Sequence, residues 1–205
     1  ETERALMEKS PHIYFQVLEE CGALKVWFPE FAALRGVLQT EKHHPKIDTL
    51  TQQYIALQQA SRMALPLAAR YAVLVHDLGK GQTPESEWPR HIGHEMRSKK
   101  LSRTLSARLK VSRDCQDLGV LVAEYHTHSH RALELRPETL WKLFRALDVL
   151  RRPDRLEGFI GACEADARGR LGFEQSTYPQ ASYVRGAAAA PAPADVHALQ
   201  HQRPA

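Results

Sequence analysis

Apolar residues recur at helical spacing along most of the chain. No stretch alternates apolar and polar residues for long enough to predict a β-sheet. Five stretches show the helical pattern most clearly, and their predicted inward residues are Tyr14, Val17, Leu18 and Cys21; Ala68, Ala72, Val75 and His76; Leu118, Leu121, Val122 and Tyr125; Leu140, Leu143, Phe144 and Leu147; and Leu156, Phe159, Ile160 and Cys163. The pattern therefore predicts an all-α fold.

Prolines, glycines and capping residues predict where these helices begin and end. Proline is favoured in the first turn of a helix, and glycine is favoured just after the last turn. Helices are accordingly expected to begin at or next to Pro11, Asp48 or Thr49, Pro66, Gly93, Ser112, Pro137 and Pro153. The helix that begins at Pro66 should end at Gly79. The polar segment GKGQTPESEWPR that follows predicts a surface loop, and the aromatic segment VWFPEF is expected to wedge between helices.

Ionisable residues interrupt the predicted buried faces near helix ends. His76 and Asp77 end the apolar run YAVLV, His126 follows Val122 by one turn, and Asp166 follows Cys163 by three residues. An unpaired ionisable group on a buried face costs several kcal/mol, so these groups must bond to one another or share a divalent metal. The combination of HDLGK, the GH of RHIGHE, the H-x-x-x-H of EYHTHSH and the aspartate of EADARGR favours a metal or catalytic site.

Composition restricts the class of protein. A chain of 205 residues that is 43% apolar can bury the core of one domain, or of one domain with an appendage. Its three cysteines lie far apart without a C-x-x-C pair, which argues against disulfides and a cysteine zinc site and predicts buried thiols in a reducing compartment. No apolar run reaches the roughly 18 to 20 residues of a membrane-spanning helix. We therefore expect a cytoplasmic protein without a membrane partner.

Charge alone does not decide the partner. The net charge of +4 arises from 28 basic and 24 acidic residues. It favours polyanions if one helix exposes its basic residues on one side, and a solvated helical face is the alternative. The basic residues in question are Arg97, Lys99, Lys100, Arg103, Arg108 and Lys110.

The ordered motifs resemble a known family. HDLGK, a following GH, a late histidine and a late aspartate are similar to the HD superfamily of metal-dependent phosphohydrolases. The segments CGALKVWFPEF, HHPKIDT, RYAVLVHDLGKGQTP, WPRHIGHE, LVAEYH and EADARGR, continuing to YPQASYVR, resemble more narrowly the C-terminal HD domain of bacterial multifunctional CCA proteins, which are tRNA nucleotidyltransferases. The likeness extends from about Tyr14 to Arg185. It implies an all-α HD-domain helical bundle.

The resemblance also implies a domain organisation and an activity. Residues 1–42 would be a helical neck from an N-terminal nucleotidyltransferase head that this chain lacks, 43–185 the HD phosphohydrolase domain, and 186–205 an Ala/Pro-rich peripheral segment. The implied reactions are those of a 2′,3′-cyclic phosphodiesterase, a 2′-nucleotidase and a phosphatase, with Ni²⁺, Mg²⁺, Mn²⁺ or Co²⁺ as the metal. The substrates would be the tRNA 3′ end or cyclic nucleotide phosphates, in tRNA maturation and repair.

Site roles follow from the matching motif positions. His76, Asp77 and Asp166 would hold the cation, and His94 and His126 would bind a second metal, bond the phosphate or protonate the leaving oxygen. Lys80 would offset phosphoryl charge, or it would simply be an exposed lysine that ends a helix. The phosphate or RNA would be gripped by Arg90, Arg168 and Arg170, unless these bond the carboxylates of Asp77 or Asp166 instead.

One position departs from the family pattern. The family carries a ligand histidine four residues beyond the aspartate of HPxIDT, and here that residue is Gln52. Its amide oxygen is a weaker ligand than imidazole, and Thr49 with Gln52 also fits a capping box. His43 and His44 are poor substitutes because they precede a proline and the helix cap, so they would have to fold back by a full turn. We therefore expect weakened metal affinity, and reduced or lost hydrolysis.

Three functions remain open at this stage. The favoured one is a phosphohydrolase domain of a CCA-adding enzyme. The second is a catalytically weakened all-α module that binds tRNA for the head, and the third is a free-standing HD hydrolase of small nucleotides.

Overall fold

The computed structural model describes residues 1–39 and 47–190, and these residues are mostly helical. The described residues contain no strand, only an isolated bridge between Leu38 and Asp48, which confirms the predicted all-α fold. None of the described helices is long and apolar enough to cross a membrane. The α-helices are α1 Thr2–Leu6, α2 Pro11–Glu20, α3 Leu24–Trp27, α4 Pro29–Ala32, α5 Thr49–Arg62, α6 Leu67–Val75, α7 His94–Leu109, α8 Arg113–His130, α9 Pro137–Leu147, α10 Pro153–Ala167 and α11 Pro179–Ala189.

Helix α6 lies at the centre of the bundle. It packs against α5, α8 and α10, and every residue from 69 to 75 is buried. The helix is almost entirely apolar, and its one charged residue, Arg70, donates to the carbonyls of Leu6 and Leu65, which explains this buried position. Whatever follows its last turn therefore lies in the interior. The residues in that place are His76 and Asp77.

Most predicted helix starts are confirmed. Pro11, Pro137 and Pro153 each occupy the first helical position, and Gly93 and Ser112 are N-caps. The predicted inward faces of α9 and α10 are also confirmed, since every residue that was predicted to face inward is buried. These residues are Leu140, Leu143, Phe144, Leu147, Leu156, Phe159, Ile160 and Cys163.

The predicted inward face of α2 is only partly confirmed, since Tyr14 and Leu18 pack against the core but the other two residues do not. Val17 is 53% exposed, whereas Phe15 is fully buried. The ring of Phe15 packs 5.4 Å from that of Phe28 and 5.3 Å from that of Phe31, so the aromatic segment wedges against α2 as expected. Because Phe28 and Phe31 form an aromatic cluster beside α2, the helix turns Phe15 inward. Cys21 on the opposite side is exposed, which corrects the prediction that all three thiols are buried.

The start of α5 also differs from the predicted capping box. Asp48 is the N-cap, and its Oδ1 accepts a hydrogen bond from the backbone N–H of Thr51 at 2.9 Å. The hydroxyl of Thr49 instead donates to the carbonyl of Val37 at 2.8 Å. Aspartate outcompetes threonine because its carboxylate is also held by Arg35. His43 and His44 lie outside the described residues.

The basic residues of α7 do not form one free face. Arg97 donates to the carbonyl of Gly79, Lys99 lies 2.6 Å from Glu124, and Arg108 pairs with Glu30. The exposed residues of this basic set are Lys100, Arg103, Arg108 and Lys110, of which Arg108 is paired with Glu30. The pairing favours the structural interpretation of half of this basic set.

Of the two predicted domain boundaries, one lies outside the described residues and the other falls within a helix. The boundary between residues 42 and 43 lies outside the described residues, as does the segment from 191 to 205. The boundary before residue 186 cuts α11, which continues to Ala189. Ala187 and Ala188 pack against the core, so these residues belong to the bundle.

Candidate metal centre

His76 and Asp77 begin the candidate site because α6 ends earlier than predicted. The helix ends at Val75, His76 is its C-cap, and the chain then forms a 3₁₀ turn, Leu78–Gln82. His76 is only 1% exposed and Asp77 only 4% exposed. The turn between a helix and a 3₁₀ segment lets two neighbouring side chains point to the same place. The His76 Nε2 lies 3.4 Å from the Asp77 Oδ2.

Three further helices bring their polar groups to this point. The Asp77 Oδ1 lies 3.3 Å from the Nε2 of His94, at the start of α7, and 3.5 Å from the Nε2 of His126, in α8. The Asp166 Oδ1, in the last turn of α10, lies 3.2 Å from the Nε2 of His76. The structure therefore brings together the five residues that the sequence analysis placed in the pocket core.

The backbone fixes the orientation of the three buried imidazoles. Each Nδ1 lies within hydrogen-bond distance of a backbone carbonyl, which can only accept. The proton must then be on Nδ1, and in a neutral ring the Nε2 presents a lone pair. The three pairs are His76 with Val73 at 2.8 Å, His94 with His91 at 2.9 Å and His126 with Val122 at 3.0 Å. All three lone pairs point toward Asp77.

This arrangement fits a divalent cation. The Nε2 atoms of His94 and His126 face each other at 3.3 Å, and two lone pairs repel at that distance. The His76 Nε2 and the Asp77 Oδ1 are buried and make no hydrogen bond. Ligand atoms of His76, Asp77 and His126 lie within 4.8 Å of one another, so one ion can contact all three. Imidazole nitrogens with carboxylates suit a transition metal such as nickel or cobalt better than magnesium.

Electrostatics within the cluster favour a positive charge at its centre. Burial lowers the pKa of His76, but Asp77 and Asp166 outweigh it and raise that pKa to about 10. Burial raises the pKa of Asp77, yet Lys80 and His76 hold it well below its ordinary value. His126 differs, because burial keeps its pKa below the usual value. A proton on His76 and a bound metal are thus alternative ways to neutralise the carboxylates.

We expect metal binding to release a proton from His76. At pH 8 the ring is charged without metal, because its pKa is about 10, whereas a metal ligand must be neutral. The apparent affinity for Ni²⁺ should therefore increase about tenfold for each unit by which the pH rises, as long as the pH stays below that pKa. Calorimetric titration in two buffers with different ionisation enthalpies measures the released protons. Equal binding heats in both buffers would contradict the expectation.

Lys80 is not the exposed helix-ending lysine of the structural alternative. Its side chain is 14% exposed, and its Nζ donates to the Asp77 Oδ2 at 2.6 Å and to the Gln39 Oε1 at 2.9 Å. The ammonium holds one oxygen of Asp77. The other oxygen, Oδ1, stays directed at His94 and His126.

The three arginines proposed for phosphate are arranged differently from one another. Arg168 lies 2.7 Å from Glu164 and donates to the carbonyl of Ser176 at 3.2 Å, so it does not hold Asp166 as one alternative supposed. Arg90 and Arg170 are exposed. Only these two present their side chains fully to solvent.

Gln52 lies on the face of α5 that packs against the end of α10. Ala56 follows Gln52 by one helical turn and shares its face. A Cβ built on Gly169 would lie 2.7 Å from the Ala56 methyl group and 3.0 Å from the Asp166 carbonyl oxygen. This packing places the face that carries Gln52 beside the helix end that carries Asp166. The side chain of Gln52 is half-buried there.

His130 is a site residue that the sequence analysis did not name. Its Nε2 lies 2.7 Å from the Asp166 Oδ2, and its Nδ1 lies 3.0 Å from the hydroxyl of Tyr178. The signal was present in EYHTHSH, because two histidines four residues apart on a helix share a face. That spacing does not reveal the partner, which lies on another helix.

The sequence was compared with known proteins. Residues 50–159 match the family model described as HD domain, a segment that contains His76, Asp77 and His126 but ends before Asp166. A multifunctional CCA protein of Alcanivorax borkumensis is 62% identical over 98% of this chain and 49% of that protein. Those of Pseudomonas syringae pv. syringae and Pseudomonas fluorescens Pf0-1 are 55% and 56% identical, over 98% and 92% of this chain and 50% and 46% of those proteins. The chain spans about half the length of these curated relatives.

Proposed function

This chain belongs to the HD domain family and matches the HD-domain part of multifunctional CCA proteins, and on that premise we propose that it is a metal-dependent phosphohydrolase. The proposed reactions are hydrolysis of 2′,3′-cyclic phosphates, of 2′-phosphates and of simple phosphomonoesters. The observation that supports this most directly is the convergence of three imidazole lone pairs on Asp77, deep in the bundle.

The residues of the cluster have distinct proposed roles. His76, Asp77, His126 and Asp166 hold the metal. A divalent cation held there supplies Lewis acidity to a phosphoryl oxygen and a bound water of lowered pKa. Lys80 keeps the Asp77 carboxylate turned so that Oδ1 faces the histidines.

His94 is the proposed proton donor to the leaving ribose oxygen. Its side chain is the most exposed of the three imidazoles around Asp77, so a substrate reaches it first. A protonated imidazole can give its proton to such an oxygen. The exposed Arg90 and Arg170 are candidates to contact the phosphates of an RNA substrate.

A tRNA context is part of the proposal. The relatives are named multifunctional CCA proteins and are about twice as long as this chain. We propose that a nucleotidyltransferase head accompanies this domain and that its substrates are damaged or unprocessed tRNA 3′ ends. A gel shift with tRNA at several salt concentrations tests the contact, since phosphate contacts give a steep salt dependence.

The second candidate function is a tRNA-binding module with a weakened metal site. Gln52 favours it, because an amide stands where the family pattern has a ligand imidazole. An assay with bis-p-nitrophenyl phosphate and 2′,3′-cyclic AMP, with added nickel, cobalt or manganese, separates the two candidates. Turnover that requires metal supports the hydrolase. Absence of turnover with every metal discards it and leaves the module.

We expect Gln52→His to increase metal affinity. Imidazole is a stronger ligand than an amide for nickel or cobalt, and Gln52 is half-buried on the helix face that packs against the end of α10. The expected gain is at least about tenfold, which corresponds to about 1.4 kcal/mol. Isothermal titration with Ni²⁺ measures it.

Gln58→His is the matched control for this gain. Gln58 lies on the same helix, but its amide donates to the carbonyl of Lys9, away from the cluster. An equal gain in both variants would indicate surface binding by any added histidine. No gain in Gln52→His would remove the argument that this position weakens the site.

A further inference from the structure

We propose that His130 is a positioning residue that holds Asp166 in place for the metal, and that it is not itself a metal ligand. The inference rests on the proposed metal-dependent function. It assigns a role to a residue outside the five that the sequence motifs placed in the pocket core.

The two oxygens of Asp166 face different partners. Oδ1 lies 3.2 Å from the His76 Nε2, toward the cluster. Oδ2 lies 2.7 Å from the His130 Nε2, the shortest contact between a histidine and a carboxylate in the described residues. His130 therefore engages the oxygen that the cluster does not use. An inward-facing oxygen remains available to a cation.

The protonation of His130 is opposite to that of the other three imidazoles. A carboxylate can only accept, so the proton of a neutral His130 is on Nε2, and Nδ1 accepts from the hydroxyl of Tyr178 at 3.0 Å. The Tyr178 oxygen in turn lies 2.9 Å from the Ser129 hydroxyl. In their neutral, metal-binding forms, His76, His94 and His126 present Nε2 lone pairs to the centre, whereas His130 presents a proton to Asp166. A nitrogen that carries a proton cannot bind a metal.

Asp166 needs such a partner because of its place in the helix. It lies in the last turn of α10, which ends at Ala167, where the helix dipole and the free carbonyls disfavour a negative charge. Its side chain is 18% exposed, so a route to solvent is open. Without a donor at Oδ2, the carboxylate can turn outward. Partners that orient a metal ligand in this way are commonly worth about 10- to 100-fold in metal affinity.

The test compares three variants for Co²⁺ affinity, for the visible spectrum of bound Co²⁺, and for kcat and KM. His130→Leu should bind the metal about 10- to 100-fold more weakly, with an altered spectrum. His130→Gln should recover part of the loss, because the glutamine N–H₂ group can take the place of Nε2–H. Tyr178→Phe should lose less Co²⁺ affinity than His130→Leu, because it removes only the hydrogen bond that holds the His130 ring and leaves the ring itself in place.

A double-variant cycle decides between positioning and direct ligation. If His130 acts only through Asp166, Asp166→Ala combined with His130→Leu should bind Co²⁺ no more weakly than Asp166→Ala alone. Additive losses would overturn the proposal and make His130 an independent ligand. An unchanged affinity in His130→Leu would also overturn it.

A control variant separates this inference from other failures. His128→Ala lies two residues away on α8, where its ring packs on Tyr125, and it should leave affinity and spectrum unchanged. An equal loss in His128→Ala would show general damage to α8 and overturn the positioning role. If the unaltered chain binds no metal at all, the proposed metal-dependent function is wrong, and the role of His130 is not the cause. Thermal unfolding of each variant without metal shows whether the variant is folded.

Discussion

Asp77→Asn is expected to abolish metal binding and hydrolysis. Asp77 contacts His76, His94 and His126 through its two carboxylate oxygens, so its charge lies at the centre of the cluster. Asparagine keeps the size of the side chain but removes the negative charge and one oxygen. Removing a residue that only hydrogen-bonds a metal ligand already weakens metal binding about 10- to 100-fold. Removing the charge of the ligand itself should therefore weaken it by more than about 100-fold. Titration with Ni²⁺ and the 2′,3′-cyclic AMP assay measure both effects.

The matched control is Asp154→Asn. Asp154 lies exposed at the start of α10, where it pairs with Arg152. This change removes the same charge from the surface and should alter neither measurement. Since Asp77 also bonds Lys80, the circular dichroism of Asp77→Asn must first show an intact fold. A folded Asp77→Asn protein that binds Ni²⁺ normally would remove the proposed metal centre.

Gly79→Ala is expected to destabilise the protein by more than about 3 kcal/mol. Gly79 lies in the 3₁₀ turn after Asp77, and its N–H donates to the buried Ser98 hydroxyl at 2.8 Å. A Cβ there would lie 2.2 Å from the His94 carbonyl oxygen and 2.5 Å from the Ser98 nitrogen. Both atoms belong to helix backbone, which cannot move without displacing the start of α7. Urea denaturation followed by circular dichroism measures the free energy of unfolding.

Gly186→Ala provides the control for this change. Gly186 lies in α11, and a Cβ there meets no atom within 4 Å. Alanine is the better helix former, so this variant should be as stable as the unaltered chain or up to about 1 kcal/mol more stable. Gly79→Ala should also weaken metal binding, since His94 begins the displaced helix. Near-normal stability of Gly79→Ala would show that the turn and α7 are not tightly packed.

The helices could be predicted where local signals decide them. Pro137 and Pro153 fix the helix starts because proline at the first helical position costs no hydrogen bond. The inward faces of α9 and α10 could be predicted because each helix carries a single apolar stripe, which faces the core. The face of α2 was not predictable in this way. It carries apolar residues on two sides, and the choice of Phe15 over Val17 depends on Phe28, which lies on another helix.

The residues of the candidate site could be predicted from local patterns, but their contacts depend on residues that are distant along the chain. His76, Asp77, His126 and Asp166 were recognisable because ionisable groups on apolar faces need partners. The contacts that orient these residues could not be predicted. Lys80, for example, holds Asp77 and is itself bonded to Gln39, which lies far away along the chain. His130 was passed over for a similar reason. Its spacing from His126 reveals a shared helix face, but its protonation is determined by residues outside that helix.

The backbone carbonyls that hold the three imidazoles have a consequence for selectivity. Because each ring is held by a backbone carbonyl three or four residues earlier in the chain, the cost in conformational entropy of arranging the ligands is met when the chain folds. An arriving ion therefore meets a preorganised set of donors and does little to reshape it. The bundle dictates the spacing of the donors, and ions compete by how well their size and preferred coordination match that fixed frame.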